Sequence, residues 1–202
     1  MRPLTDSSLV VATHNQGKLE EVSGLLKPFG IKALGAAALG LPEPEETEAT
    51  FIGNASIKAL AAVQATGLPA LADDSGIEID ALAGAPGVFT ADWAETPGGR
   101  DFGMAMRSTY DKLVETGANR PWTARFCCAF VLAWPDGHIE VFEGAMPGQI
   151  TWPMRGEQGH GYDPIFQPDG YDVTFGEMDR WEKNRISHRA RAFEKLATAF
   201  TK

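Results

Sequence analysis

Two short segments gather the residue types that phosphate chemistry requires. Thr13-His14-Asn15-Gln16-Gly17-Lys18 follows the apolar run Leu9 to Ala12 and precedes a stretch with helical spacing. A strand that runs into a helix N-terminus favours an anion, because the first amides have no partner inside the helix and the dipole is positive there. Gly17 permits close backbone approach and Lys18 adds a full positive charge. The segment is not a Walker A loop, since Ala12 stands where that loop needs a glycine. A plain helix capped by Asn15 explains the same residues equally well. The second segment, Asp73-Asp74-Ser75-Gly76, closes another hydrophobic run. Two carboxylates there can hold Mg2+, which takes oxygen ligands and keeps waters. Strand side chains alternate, so one aspartate faces a given site and the other makes a structural hydrogen bond. The competing reading is a turn rich in local Asx hydrogen bonds.

Four further groups are candidates. The acidic run Glu43, Glu45, Glu46 and Glu48 reads by default as a solvated loop, yet one glutamate could share a metal with an aspartate. Asn54 and Lys58 are four residues apart and lie on one helix face, so Lys58 can reach the same phosphates as Lys18 or simply face solvent. In Gly159-His160-Gly161-Tyr162-Asp163-Pro164, glycines flank rings on which a base can stack, and Asp163 can fix a ribose or a base N–H; a glycine-rich surface turn is the alternative. In Lys183-Asn184-Arg185-Ile186-Ser187-His188-Arg189, Ser187 caps a final helix whose first turn carries His188 and Arg189. Cations oppose the dipole at that end, which hints at a ligand role; a helix with a basic outer face is the alternative.

The elements that must position these groups follow from periodicity. Ser8 to Thr13 reads as a buried strand. A helix runs to about Pro28, with Leu19, Val22, Leu25 and Leu26 on one face and Glu20 and Glu21 in its first turn. Helices are expected over about Thr50–Ala65, Phe102–Glu115 and Ser187–Phe200. Leu68 to Asp80 reads as a strand, a turn at Ser75-Gly76 and a second short strand. Thr123–Trp134 and His138–Ala145 form a hairpin around Pro135-Asp136-Gly137. Alternating strands and helices followed by antiparallel strands predict an α/β fold with a mixed sheet.

The 202 residues fit one domain, with 44% hydrophobic and 22% charged residues, as a packed core requires. A net charge of −9 argues against nucleic-acid or anionic-membrane partners, though a cleft can be locally positive. Cys127 and Cys128 are adjacent and form no C-x-x-C pattern, so they read as small strand residues in a reducing compartment. No apolar run is long enough to span a membrane or form a signal-peptide core, and a cytoplasmic location is expected.

Taken together, five segments resemble the inosine triphosphate pyrophosphatase family, the hydrolases of non-standard purine nucleotides. They are Ala-Thr-His-Asn-Gln-Gly-Lys (12–18), Thr-Phe-Ile-Gly-Asn-Ala-Ser-Ile-Lys-Ala (50–59), the stretch from Leu71 to Val88, Gly-Tyr-Asp-Pro-Ile-Phe (161–166) and Lys-Asn-Arg-Ile-Ser-His-Arg (183–189). Each is modest alone, but the ordered set spreads over nearly the whole chain.

The resemblance implies a single two-lobed α/β domain over residues 1–202, with a long mixed sheet and an active-site cleft between lobes. It implies a homodimer, a Mg2+ cofactor and hydrolysis of inosine or xanthosine triphosphates, ribo or deoxyribo, to the monophosphate and pyrophosphate, which cleanses the nucleotide pool. On this reading Thr13, His14, Asn15, Gln16, Gly17 and Lys18 hold the triphosphate, with Lys58 assisting. Asp74 is the catalytic, metal-linked aspartate, Ser75 a substrate contact, and Glu45 or Glu46 a further metal ligand. His160, Gly161, Tyr162, Asp163, Lys183, His188 and Arg189 receive the base. Two positions depart from the family's habit: residue 160 is often phenylalanine there and is histidine here, and residue 14 is often smaller. The rival readings are a hydrolase of modified pyrimidine nucleotides, a nucleotide-binding regulator without turnover, and a nucleic-acid-binding module.

Overall fold

The computed structural model describes residues 2–200. In chain order its elements are β1 (Ser8–Val11), α1 (Gln16–Leu26), β2 (Lys32–Gly35), α2 (Phe51–Thr66), β3 (Ala70–Ile79), β4 (Glu95–Thr96), β5 (Gly99–Arg100), α3 (Phe102–Glu115), β6 (Trp122–Ala133), β7 (Ile139–Ile150), β8 (Phe166–Pro168), α4 (Arg180–Ile186) and α5 (His188–Ala197), joined by short 3-10 turns. Six strands form one sheet in the order β2-β1-β3-β6-β7-β8. It is mixed, as expected: β1 runs parallel to β2 and β3, whereas β7 and β8 are antiparallel. Among the described residues no helix is long and apolar enough to cross a membrane.

Caps set the helix starts. Asn15 accepts from the Lys18 amide at 3.1 Å, Thr50 from the Gly53 amide at 3.0 Å and Asp101 from the Met104 amide at 2.9 Å. Each satisfies one of the amides a helix leaves without a partner. The first turn of α1 is therefore Gln16, Gly17 and Lys18, and Glu20 and Glu21 lie beyond it. The expected turn at Ser75-Gly76 is also absent: β3 passes through both residues as one strand of ten. A Ser-Gly pair suits a turn locally, but pairing with neighbouring strands overrides that preference.

The chain divides into two units. The first comprises residues 1–74, 128–143 and 192–202. Here strand alternation sends Leu9, Val11, Leu71, Cys128, Phe130 and Leu132 into one apolar cluster, closed by Val22 and Leu26 of α1 and Phe193 and Leu196 of α5. It sends Val10, Ala12, Ala70, Ala72, Val131 and Ala133 into a second cluster, closed by Ala55, Ala59, Ala62 and Val63 of α2. The alanine face of α2 lets that helix lie close against the strands. The second unit comprises residues 75–127 and 144–191 and has one core, built around Phe126, Tyr162, Phe166 and Phe175 with Ile77, Ile79 and Leu113.

Candidate functional site

The sequence-predicted residues fall into two clusters, one in each unit. In the first unit the parity of β3 decides how its two aspartates are used. Leu71 belongs to the cluster covered by α1, and Asp73, two residues on, meets Lys18 of α1 at 2.9 Å. Ala70 and Ala72 belong to the cluster covered by α2, and Asp74 continues that row. Its Oδ2 accepts from Asn54 Nδ2 of α2 at 3.2 Å. Lys58, one turn beyond Asn54, pairs with Glu46 and lies in the field of Asp74 and Asp73.

These pairings shape the electrostatics. Burial raises the Asp74 carboxyl above its ordinary value; Lys58 and Lys18 pull it down, Glu46 pushes it further up, and the Asn54 hydrogen bond lowers it, with a net rise. Burial acts to lower the Lys58 ammonium, but Asp74, Glu46 and Asp73 outweigh it and hold it above the usual lysine value. Asp74 is thus a carboxylate that retains affinity for a proton while facing two cations, as a general base should.

The turn before α1 is ordered by its own side chains. Thr13 Oγ1 accepts from the Asn15 amide at 3.2 Å, Gln16 bonds Glu20 at 3.0 Å, and the His14 ring donates to the Leu41 carbonyl at 2.8 Å. Among the described residues no hydrogen bond engages the amides of Gln16 and Gly17, and those two N–H groups stand at the positive end of α1. Of the acidic segment, Glu46 reaches Lys58, whereas Glu43 and Glu45 remain exposed without a described contact to the cluster.

The donor set fits Mg2+. Among the described residues no group of three or more His, Cys, Asp or Glu side chains forms a cage. Mg2+ does not require one, since it binds through one or two carboxylates and completes its shell with waters and substrate phosphates. Asp74 and Glu46 are two such oxygen donors, and the repulsion between them is what a cation relieves.

The second cluster lies in the second unit. Asp163 is buried; its Oδ2 accepts from the His160 amide at 2.7 Å and from the Lys183 ammonium. Gly159 makes this possible, since at φ +74° a Cβ would lie 2.0 Å from that oxygen. Lys183 also sits over the Phe175 ring at 5.2 Å. Ser187 caps α5 through the Ala190 amide, and the buried His188 ring stacks on Phe126 at 5.1 Å and 16°. Arg189, also buried, donates to Ser75 Oγ at 3.2 Å. The Tyr162 ring is buried in the core edge-on to Phe102, so it supports the loop from beneath, while the His160 ring is exposed. Gly161, between them, takes φ +68°.

Three roles escaped the sequence reading. Asn54 was visible as the helix-face partner of Lys58, but its bond to Asp74 was not. Phe126 and Phe175, which floor His188 and Lys183, carry no signal beyond buried strand and core positions.

The model of the Ham1 family matches residues 9–199. A dITP/XTP pyrophosphatase of Ruegeria pomeroyi is 66% identical over 195 residues, covering 96% of each chain. One from Agrobacterium fabrum is 57% identical over 207 residues, covering 97% of each. Among solved structures, a HAM1 protein from Coxiella burnetii superposes with a TM-score of 0.89 at 37% identity, covering 96% of this chain and 98% of its own.

Proposed function

Because the chain belongs to the Ham1 family, we propose that it is a nucleoside triphosphate pyrophosphatase that hydrolyses non-standard purine nucleotides, the inosine and xanthosine triphosphates in ribo or deoxyribo form. The observation that carries this reading is the setting of Asp74: a buried carboxyl with a raised proton affinity, faced by Lys18 and Lys58 and held by Asn54.

The phosphates lie against residues Thr13 to Lys18, where the Gln16 and Gly17 amides donate and Lys18 and Lys58 supply charge. Asp74 orients a water and accepts its proton as the oxygen attacks the α-phosphorus. The bond from that phosphorus to the bridging oxygen breaks, and pyrophosphate leaves toward the lysines. Asp74 and Glu46 would hold Mg2+, with Glu46 favoured over Glu45 because, among the described contacts, it is the one of the two that meets Lys58. When bound, the metal neutralises phosphate charge in the ground state and on the leaving pyrophosphate. Electrostatic positioning thus carries most of the catalysis.

The base is received by His160, Gly161, Asp163, Lys183, His188 and Arg189, with Ser75 beside Arg189 and the buried Tyr162 ring supporting the loop rather than meeting the base. Arg189 offers only donors. A 6-oxo purine places an acceptor before it, whereas the 6-amino group of adenine places a donor before a donor. A buried unsatisfied group costs about 1–3 kcal/mol, or roughly 5- to 150-fold in discrimination. Residues 1–202 act as one functional domain. The protein works in the cytoplasm as a homodimer, and its net charge of −9 disfavours nucleic acid as a partner.

A panel of triphosphates assayed for pyrophosphate release, with Mg2+ and with chelator, tests this reading. Inosine and xanthosine triphosphates should turn over in Mg2+ and not in chelator. Equal turnover of adenosine triphosphate, or preference for a modified pyrimidine, would overturn it.

A further inference from the structure

The two carboxylates assigned above to the metal come from different parts of the chain: Asp74 from a buried strand, Glu46 from an exposed segment with no secondary structure of its own. Loops of that kind stay in place only through specific contacts. The segment has two on the first turn of α2. Asn54, 2% exposed, donates through Nδ2 to Asp74 Oδ2 at 3.2 Å and accepts through Oδ1 from the Glu48 amide at 2.9 Å. One planar amide therefore spans the strand carboxylate and the backbone of the acidic segment. Beside it, Gly53 leaves room for the segment to lie against the helix: a Cβ there would stand 2.5 Å from Glu48 Cβ and 2.8 Å from its Cγ. Contacts that short cannot be relieved by turning the end of a flexible side chain, so the segment itself would have to move.

Resting on the proposed function, we infer that Asn54 is a positioning residue which, with Gly53, fixes the Glu46-bearing segment against α2 so that Glu46 and Asp74 form one cation-binding pair. The sequence places the three devices on consecutive turns of a single helix: Gly53 admits the segment, Asn54 ties it to Asp74, and Lys58 holds Glu46. Without the tie, the described side-chain anchor left to Glu46 is a flexible lysine, and the cation must help order the segment as it binds.

Gly53→Ala separates positioning from folding. Alanine at a helical position is intrinsically preferred to glycine, so the substitution favours α2 while displacing Glu48. Asn54→Leu removes the tie while keeping side-chain size. The full-length chain and both variants are titrated with Mn2+, read by loss of the free-ion paramagnetic resonance signal in the absence of nucleotide, and hydrogen exchange of the Glu48 amide is followed alongside. Mn2+ affinity should fall at least tenfold in both variants, with faster exchange at Glu48, and the melting temperature of Gly53→Ala should not fall. Mn2+ affinity within twofold of wild type in Gly53→Ala, with exchange at Glu48 unchanged, would overturn the inference. If Asn54→Leu does not fold, Gly53→Ala decides alone. Failure of the functional reading is distinguishable: it would appear as a wild-type chain that releases no pyrophosphate, whatever the metal titration shows.

Discussion

The two clusters differ in what holds them. In the first unit, Lys18 leans on Asp73 and Lys58 on Glu46 and the field of Asp74, so its charged groups are held mainly by one another. The second unit has an ion pair too, Lys183 with Asp163, but both partners also rest on uncharged supports, Lys183 over the Phe175 ring and Asp163 on the backbone of His160, and His188 stacks on the Phe126 ring. Ion pairs can exchange partners, and incoming phosphates and a cation can take the lysines and carboxylates from each other. Aromatic supports cannot exchange in that way, which suits a region that must discriminate between bases by geometry. On the proposed function, charge handling falls to the first cluster and selectivity to the second.

The largest effect should come from Asp74→Asn, which removes the proposed proton acceptor and weakens a proposed metal ligand. Turnover should fall by about 10²–10⁴, the usual contribution of a general base. Asp73→Asn should cost less, because it loosens Lys18 without touching the attacking water. Equal losses in the two variants, with neither melting below wild type, would erase the distinction that strand parity makes between them.

The next effect separates the clusters directly. Lys18→Ala should lower kcat/KM at least tenfold, about 1.4 kcal/mol, by the same factor for every base. Arg189→Ala should instead shrink the preference for inosine over adenosine triphosphate, by roughly 5- to 150-fold, chiefly through loss of the inosine reaction. A changed base preference in Lys18→Ala, or equal losses on both substrates in Arg189→Ala, would show that the two regions do not divide the work in this way.

The smallest effect is on stability. Asp74 is raised in the folded chain, first by burial, so the native state holds its proton more tightly than the unfolded state does. Stability therefore falls as pH rises from the ordinary aspartate value through the raised one, and the penalty persists above it. Asp74→Asn removes that penalty. In metal-free buffer the variant should melt above wild type at neutral pH, and the gap should close below the ordinary carboxylate range. A variant less stable than wild type at neutral pH would mean that the pairing with Lys58 outweighs burial.

Much of this was legible in the sequence, for identifiable reasons. Asn15 as the cap of α1 and the span of α3 follow from local rules of capping and period. The division of labour between Asp73 and Asp74 follows from alternation, which holds even where β3 continues through the expected Ser75-Gly76 turn. The four-residue strand β2 and three-residue strand β8 are too short to show a period and exist through pairing with β1 and β7. That Glu46 rather than Glu45 meets Lys58 was equally hidden, because a loop without a period gives no facing rule. Cations in the first turn of α5 oppose the helix dipole, and the structure buries both His188 and Arg189 rather than leaving them on an outer face.

The central claim is that water attacks the α-phosphorus and pyrophosphate leaves. Hydrolysis of inosine triphosphate by the wild-type chain with Mg2+ in ¹⁸O-water, followed by mass analysis of both products, tests it most directly. The label should appear in inosine monophosphate, with unlabelled pyrophosphate formed in equal amount. Label in the pyrophosphate, or release of orthophosphate with the diphosphate, would contradict it.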